Sequence, residues 1–204
     1  MARIHAIIFD LGKVVFDLSF DRVFRSWAKA SSQKFEDIKN KFVFDELFNK
    51  LETNEISASG FRTTISKRLG FNLTGADFDR GWCDLYLDPY NGIEQLLIDL
   101  KHKYRLVALT NTNIIHNKVW RLKYAGILKH FEKIFSSHEM ETRKPEEKAY
   151  RIVLNYLQCK PAETIFIDDN ADNIMGANKL GIPTILVISQ EQMRKELQKF
   201  KLLN

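Results

Sequence analysis

The sequence predicts an α/β fold, a doubly wound parallel sheet that carries an inserted helical cap. Three observations predict it: short apolar runs without alternation recur along the chain, helical periods lie between them, and one long stretch carries helical periods alone. With 204 residues, of which 45% are hydrophobic and 28% are charged, the chain can bury the core that this fold requires.

Five apolar runs predict the strands of the core. Each is rich in Ile, Val, Leu or Phe and lacks the polar–apolar alternation of a half-exposed strand, as expected of strands that helices cover on both faces. The runs are HAIIF at 5–9, YRLVAL at 104–109, KIFS at 133–136, TIFI at 164–167 and TILVI at 184–188.

Helices are predicted between these runs, because apolar residues recur there at i, i+3, i+4 and i+7. Pro145, followed by two acidic residues, suits the first turn of a helix, and Gly181 suits a C-terminal cap. Alternating strands and helices predict a Rossmann-like parallel sheet. The two clearest stripes are Ile93, Leu96, Leu97 and Leu100, and Tyr150, Val153, Leu154 and Leu157.

The stretch from 18 to 88 predicts helices and no strand. Helical stripes begin near Phe20 and Phe44, and further helical segments follow Ser57 and Thr74. A stretch of roughly 70 residues is too long for a loop in a compact domain. We therefore expect a core domain made of residues 1–17 and 89–204 and a helical cap domain made of residues 18–88.

The charge distribution bears on possible partners. The formal net charge of +5 favours anionic ligands, but the basic residues are scattered rather than clustered, so we expect no nucleic-acid partner. No segment approaches the ~20 apolar residues of a membrane helix, so no membrane partner is expected. Cys83 and Cys159 form no C-x-x-C pair, which fits a reducing compartment. We expect a cytoplasmic monomer or weak dimer, and the positive charge is compatible with a small phosphorylated metabolite as its partner.

The residues that follow the predicted strands are the candidates for chemistry. Ligands of an open parallel sheet bind beyond the carboxyl ends of its strands, where the loops converge. Each candidate alone could be a turn or capping residue. Together they would bring three carboxylates, a hydroxyl, an amide and an ammonium to one edge of the sheet. In chain order they are Asp10, Thr110, Asn111, Lys144, Asp168 and Asp169.

Three neighbouring carboxylates predict a metal ion. They repel one another and raise each other's pKa unless a cation neutralises them. Ligation by oxygen alone favours Mg²⁺, which also binds the phosphate oxygens of substrates. The hydroxyl, the amide and the ammonium would supply donors to such a phosphate.

The segments IIFDLGKVV, VALTNTN, RKP and IFIDDNADNIMGANKLGI resemble the four motifs of the haloacid dehalogenase (HAD) superfamily, and the helical insert resembles its type 1 cap. The resemblance spans essentially the whole chain, with motif order and spacing intact. More narrowly, FDLGKVVFD, LTNTN and FIDDNADNIMGAN resemble the bacterial α-D-glucose-1-phosphate phosphatases. The resemblance implies a Mg²⁺-dependent phosphatase that hydrolyses a small phosphomonoester, such as a sugar phosphate.

The resemblance also implies roles for individual residues. Asp10 matches the nucleophile that forms an aspartyl-phosphate. Thr110 and Asn111 match the phosphate-binding pair, and Lys144 matches the lysine that binds phosphate and steadies the nucleophile. The implied Mg²⁺ ligands are Asp10, the backbone carbonyl of Gly12, Asp168 and Asp169, with Asp169 ranked slightly ahead of Asp168.

Gly12 departs from the superfamily pattern, since most of its phosphatases carry at this position an Asp that protonates the leaving oxygen. Such general acid catalysis contributes ~10²–10⁴-fold. Three explanations stay open. In the first, the leaving group needs little protonation, as with the anomeric oxygen of a sugar 1-phosphate. In the second, another group donates the proton, with a positioned water, a cap residue or His116, expected on a helix surface, as candidates. In the third, the chain binds phosphorylated ligands without turnover.

Dehalogenation is a further alternative. Dehalogenases of the superfamily use the same Asp10 position to attack carbon without a metal, which would leave the acidic pair Asp168 and Asp169 with little to do. Phosphomutase chemistry is disfavoured because it should need the acid that Gly12 lacks. Trp120 and Arg143 lie near the motifs and are expected to border the pocket.

Overall fold

The computed structural model describes residues 2–203, and a parallel sheet lies at its centre. The strands are β1 (Ala6–Phe9), β2 (Phe16–Leu18), β3 (Tyr86–Pro89), β4 (Arg105–Thr110), β5 (Lys133–Ser136), β6 (Thr164–Asp168) and β7 (Thr184–Leu186). The central sheet has the order β5-β4-β1-β6-β7, and β2 pairs with β3 in a separate antiparallel pair. The five predicted core strands are confirmed.

Strand β1 occupies the middle of the sheet. Its residues pair in parallel with Arg105–Ala108 of β4 on one side and with Thr164–Ile167 of β6 on the other, and all four are buried. The residue that follows β1 therefore meets the ends of β4 and β6. This meeting point is where ligands bind in doubly wound sheets.

Helices cover both faces of the sheet. Ile7 and Phe9 point into one apolar cluster, and Ala6 and Ile8 point into the other. The first cluster includes residues of α6 (Ile93–Lys101), α7 (Ile114–Lys123), α8 (Ala125–Leu128) and α12 (Gln190–Lys199). The second includes residues of α10 (Glu147–Leu157) and α11 (Ala171–Lys179). A short helix, α9 (Ser137–Met140), follows β5.

Five helices lie between β2 and β3, where the sequence predicts the cap: α1 (Phe20–Ser31), α2 (Phe35–Lys41), α3 (Glu46–Glu52), α4 (Ala58–Leu69) and α5 (Gly75–Trp82). Ser57 and Thr74 cap α4 and α5 with their side chains. The sequence did not predict α2 or β2, and its prediction of no strand within 18–88 is wrong, because β3 begins at Tyr86. The assignment of this insert to a separate cap domain stays a prediction.

Two tryptophans form the centre of the insert. Trp27 of α1 and Trp82 of α5 are fully buried, and their rings stack with centroids 5.4 Å apart and an interplanar angle of 8°. The Trp27 Nε1 donates a hydrogen bond to the Phe78 carbonyl oxygen at 3.0 Å. The insert is therefore packed around these two aromatic rings.

Within residues 2–203, none of the helices combines the length and the apolar character that crossing a membrane demands. The cytoplasmic location and the monomeric or weakly dimeric state stay predictions.

Gly81 allows α5 to approach α1, and its replacement tests the packing of the insert. A Cβ at this position would lie 2.3 Å from Trp27 Cδ1. Because Trp27 is held between other rings, we expect Gly81→Ala to lower the free energy of unfolding by about 1–3 kcal/mol, despite the better helix propensity of Ala. Urea denaturation measures the change. Gly126→Ala is the matched control, since its Cβ would meet no heavy atom within 4 Å. Equal stability of the two variants would contradict the packing described here.

Candidate active site

Three carboxylates meet at the carboxyl end of the central strands. Asp10, Asp168 and Asp169 each offer an oxygen, and these oxygens all lie within 4.8 Å of one another. The backbone N–H of Asp10 donates to the Ile167 carbonyl at 2.8 Å, which extends the pairing of β1 with β6 into the site. The convergence that the strand ends predict is therefore present.

Lys144 lies between two of these carboxylates. Its Nζ donates to Asp10 Oδ1 at 2.9 Å and to Asp168 Oδ2 at 2.6 Å, and its side chain is 1% exposed. The side-chain amide of Asn111 fixes the backbone of Lys144 through two hydrogen bonds of 2.9 Å, one from Asn111 Nδ2 to the Lys144 carbonyl and one from the Lys144 N–H to Asn111 Oδ1. These two hydrogen bonds connect the loop after β4 to the loop after β5 at the residue that carries the ammonium.

The two acids of the pair differ in their surroundings. Asp168 is fully buried, and its Oδ1 accepts from the Asn170 N–H at 2.8 Å. The Nδ2 of Asn173, in the first turn of α11, lies 3.1 Å from both Asp168 oxygens. The sequence did not predict this contact. Asp169 is more exposed and lines the cavity described below. Asp169 therefore has the carboxylate that is more accessible to a ligand.

The carboxylates carry more negative charge than Lys144 can neutralise. Burial raises the pKa of Asp10 to about 7; Lys144 opposes this shift, and the Asp168 and Asp169 carboxylates add to it. Burial and Asp168 also raise the pKa of Asp169. A divalent cation would relieve this repulsion, and the side-chain atoms that could coordinate it are carboxylate oxygens. The residues of the site therefore fit Mg²⁺.

A cavity of about 370 Å³ opens over the carboxylates. Thr110, Asn111 and Gly12 line it from the core, and Trp120 and Arg143 lie on its wall, as the sequence predicts. Leu18, Phe20 and Tyr86 close it from the β2–β3 pair and the start of the insert. The cavity is large enough for a small metabolite.

Comparison with known proteins identifies the family. The family described as haloacid dehalogenase-like hydrolase matches residues 7–187. The chain belongs to this family. It is 23% identical over 196 residues to the D-ribitol-5-phosphate phosphatase of Bacteroides thetaiotaomicron, an alignment that covers 94% of this chain and 95% of the relative.

Solved structures of a HAD family enzyme from Bacteroides thetaiotaomicron are similar to this HAD chain. One has a TM-score of 0.84 at 30% identity and covers 96% of this chain and 99% of that chain. A second, of the wild-type protein in complex with magnesium and inorganic phosphate, has a TM-score of 0.79 at 31% identity and covers 92% of this chain and 96% of that chain. The predicted membership of the HAD superfamily and the predicted α/β fold are confirmed; the narrower likeness to α-D-glucose-1-phosphate phosphatases stays a prediction.

A side chain at position 12 of this HAD hydrolase, where most phosphatases of the superfamily carry an acid, would meet Leu18. A Cβ at this position would lie 2.6 Å from Leu18 Cδ1. Leu18 belongs to β2 and lines the same cavity. An apolar side chain therefore occupies the space next to Gly12.

His116 is buried, and its expected position on a helix surface is wrong. Its Nε2 lies 3.0 Å from the Trp82 carbonyl oxygen, and its Nδ1 lies 3.1 Å from Asn113 Nδ2. Because a carbonyl can only accept, Nε2 carries the proton and Nδ1 accepts from the amide. Burial lowers the pKa of His116 to about 3. His116 is therefore a neutral ring that ties α7 to α5 of the insert, and its single ring proton is already donated.

A buried ion pair that the sequence did not predict joins the insert to the core. Glu52, the last residue of α3, is 4% exposed, and Arg143 Nε donates to its Oε2 at 2.9 Å. Burial raises the pKa of Glu52 to about 7, while Arg143 and Lys144 oppose the shift. The local sequence predicts only a helix at Glu52, because its partner is 91 residues away. The sign of its burial in the local sequence is the position of this acid next to the apolar Leu51.

The pH dependence of stability tests the burial of Glu52. Arg143 and Lys144 are the cations that face it, and Tyr86 is the titratable group near it. The pKa of Glu52 in the folded protein, about 7, lies above the ordinary glutamate value of 4.5. The unfolded chain therefore releases this proton first as the pH rises, and the wild type loses stability between these two pH values. As the pH rises across this range, we expect the free energy of unfolding of Glu52→Gln to increase by about 3 kcal/mol relative to that of the wild type. Urea denaturation at a series of pH values measures it. A difference that does not vary with pH would show that Glu52 titrates normally.

Proposed function

We propose that this HAD hydrolase is a Mg²⁺-dependent phosphatase that hydrolyses a small sugar phosphate or sugar-alcohol phosphate through an aspartyl-phosphate on Asp10. The observation that carries the proposal is the buried contact of Lys144 with Asp10 and Asp168 at the floor of a small cavity. The relative named as a D-ribitol-5-phosphate phosphatase supports the substrate class.

The residues of the site divide the work of phosphoryl transfer. Lys144 holds Asp10 Oδ1 and opposes its protonation, which leaves Asp10 Oδ2 to attack phosphorus. The Thr110 hydroxyl would donate to a phosphate oxygen. Because the Asn111 amide is engaged with Lys144, a contact from Asn111 to the phosphate would use its backbone N–H. Water then hydrolyses the aspartyl-phosphate and regenerates Asp10.

Asp10, Asp168, Asp169 and the Gly12 carbonyl would hold Mg²⁺. When bound, it supplies positive charge that offsets the carboxylates and lowers the cost of charge on the transferring phosphoryl group. A dehalogenase would not need this arrangement, since three clustered carboxylates only hinder metal-free attack on carbon. A module that only binds phosphate would gain nothing from a nucleophile held by a buried ammonium.

Replacement of the nucleophile tests the proposed function. We expect Asp10→Asn to lower Mg²⁺-dependent phosphate release from p-nitrophenyl phosphate by at least about 10³-fold, because the amide cannot form the aspartyl-phosphate. Asp99→Asn on the surface of α6 is the control and should retain wild-type activity. Removal of Mg²⁺ with EDTA should abolish the activity of the wild type. Tight binding of sugar phosphates without turnover at any metal concentration would instead favour the binding module.

A substrate panel tests the link between Gly12 and the leaving group. An anomeric oxygen leaves more easily than a primary hydroxyl, so we expect kcat/KM for α-D-glucose 1-phosphate to exceed that for glucose 6-phosphate by at least about tenfold. D-ribitol 5-phosphate belongs in the same panel because of the relative. If glucose 6-phosphate were cleaved as readily as glucose 1-phosphate, the anomeric explanation of Gly12 would be wrong.

A further inference from the structure

The Arg143 side chain presents unused hydrogen-bond donors at the cavity. Its Nε donates to Glu52, and its two terminal nitrogens make no hydrogen bond to any residue in the range 2–203. The side chain is 23% exposed and lies on the cavity wall, whereas the Glu52 side chain is 6% exposed. A guanidinium is a planar fork, so a bond at Nε fixes the plane in which the two terminal nitrogens lie.

The position of Arg143 relative to the nucleophile defines what it can reach. Lys144 and Asp10 lie at the edge of the sheet, while the partner of Arg143 belongs to α3 of the insert. In an in-line displacement the leaving oxygen departs on the side opposite the attacking oxygen. Asp10 lines the cavity at the end of β1, and Arg143 lines the same cavity while it is bonded to α3 of the insert. A leaving oxygen that departs from Asp10 towards the insert would therefore approach Arg143.

Charge builds up on that leaving oxygen, and no acid at position 12 can neutralise it, because Gly12 has no side chain and the apolar Leu18 lies beside it. We propose that Arg143, positioned by Glu52, is a catalytic residue that stabilises the negative charge on the leaving oxygen in place of the missing proton donor. This inference rests on the proposed phosphatase function. It assigns to Arg143 a role in the chemical step, and it makes Glu52 a positioning residue.

The step balances without a protein acid. The bond between Asp10 Oδ2 and phosphorus forms as the ester P–O bond breaks, and the electron pair of the broken bond stays on the leaving oxygen. That oxygen takes its proton from water, and the hydroxide released is consumed when the aspartyl-phosphate is hydrolysed. Arg143 keeps its proton throughout, since a guanidinium stays protonated in proteins. Its contribution is electrostatic.

Substrates with different leaving groups test this role in the full-length protein. p-Nitrophenyl phosphate releases a stable anion and needs little help, whereas D-ribitol 5-phosphate and glucose 6-phosphate release basic alkoxides. We expect Arg143→Gln to lower kcat/KM by about 10²-fold for the alkyl phosphates and by less than about tenfold for the aryl phosphate. The change in the ratio of the two rates is the result that supports the proposal.

Matched variants separate charge, geometry and general damage. Arg143→Lys keeps a cation but loses the fork, so the alkyl-to-aryl ratio should fall less than in Arg143→Gln. Glu52→Gln should shift the ratio in the same direction, whereas a merely structural role would lower both rates equally. Arg62→Gln is the control: Arg62 forms a two-point pair with Asp79 inside the insert, at 2.7 Å for each bond, and the ratio should not change.

Two failures can be told apart. A wild-type protein that hydrolyses neither substrate with Mg²⁺ would contradict the proposed phosphatase function. An active wild type whose ratio is unchanged in Arg143→Gln would overturn this inference alone, because an equal loss on both substrates means that Arg143 does not act on the leaving oxygen. If Arg143→Gln does not fold, the ratio in Arg143→Lys decides, and an unchanged ratio there overturns the inference as well.

Discussion

The buried ammonium of Lys144 is the interaction on which the site depends. It contacts Asp10 at the end of β1 and Asp168 at the end of β6, while Asn111, just after β4, fixes its backbone. A single cation thus joins the ends of three neighbouring strands. Without it, two buried carboxylates would lack their counter-charge, a loss that typically costs about 3–5 kcal/mol. The same contact therefore holds the fold together at this edge and opposes protonation of the nucleophile.

The core could be predicted from the sequence where local pattern and tertiary environment agree. IIF before Asp10 indicates a strand covered on both faces, and β1 is one. β2 could not be predicted, because it has three residues with Asp17 in the middle and gains its pairing from Tyr86–Pro89, far along the chain. Helix α2 has Ile38 as its buried residue and so shows no apolar stripe.

The site also contains some contacts that the sequence could predict and others that it could not. Asp10, Asp168 and Asp169 could be predicted to meet, because parallel strands bring their carboxyl ends to one edge. The burial of His116 and the contact of Glu52 could not, because both depend on how the insert packs against the core. Stability alone does not explain a buried ion pair such as that of Glu52, since its desolvation largely offsets its attraction.

The antiparallel pair β2–β3 has a consequence for the variation of this architecture. The chain enters the insert beyond Leu18 and returns at Tyr86, and these residues are cross-strand partners. The two junctions are therefore about one strand spacing apart, near 5 Å. A helical segment of another length or sequence could be spliced between them without disturbing the register of the central sheet. The carboxylates and the lysine would stay in place, whereas the contacts of the insert with the core, such as that of Glu52 with Arg143, would have to be rebuilt by the new segment.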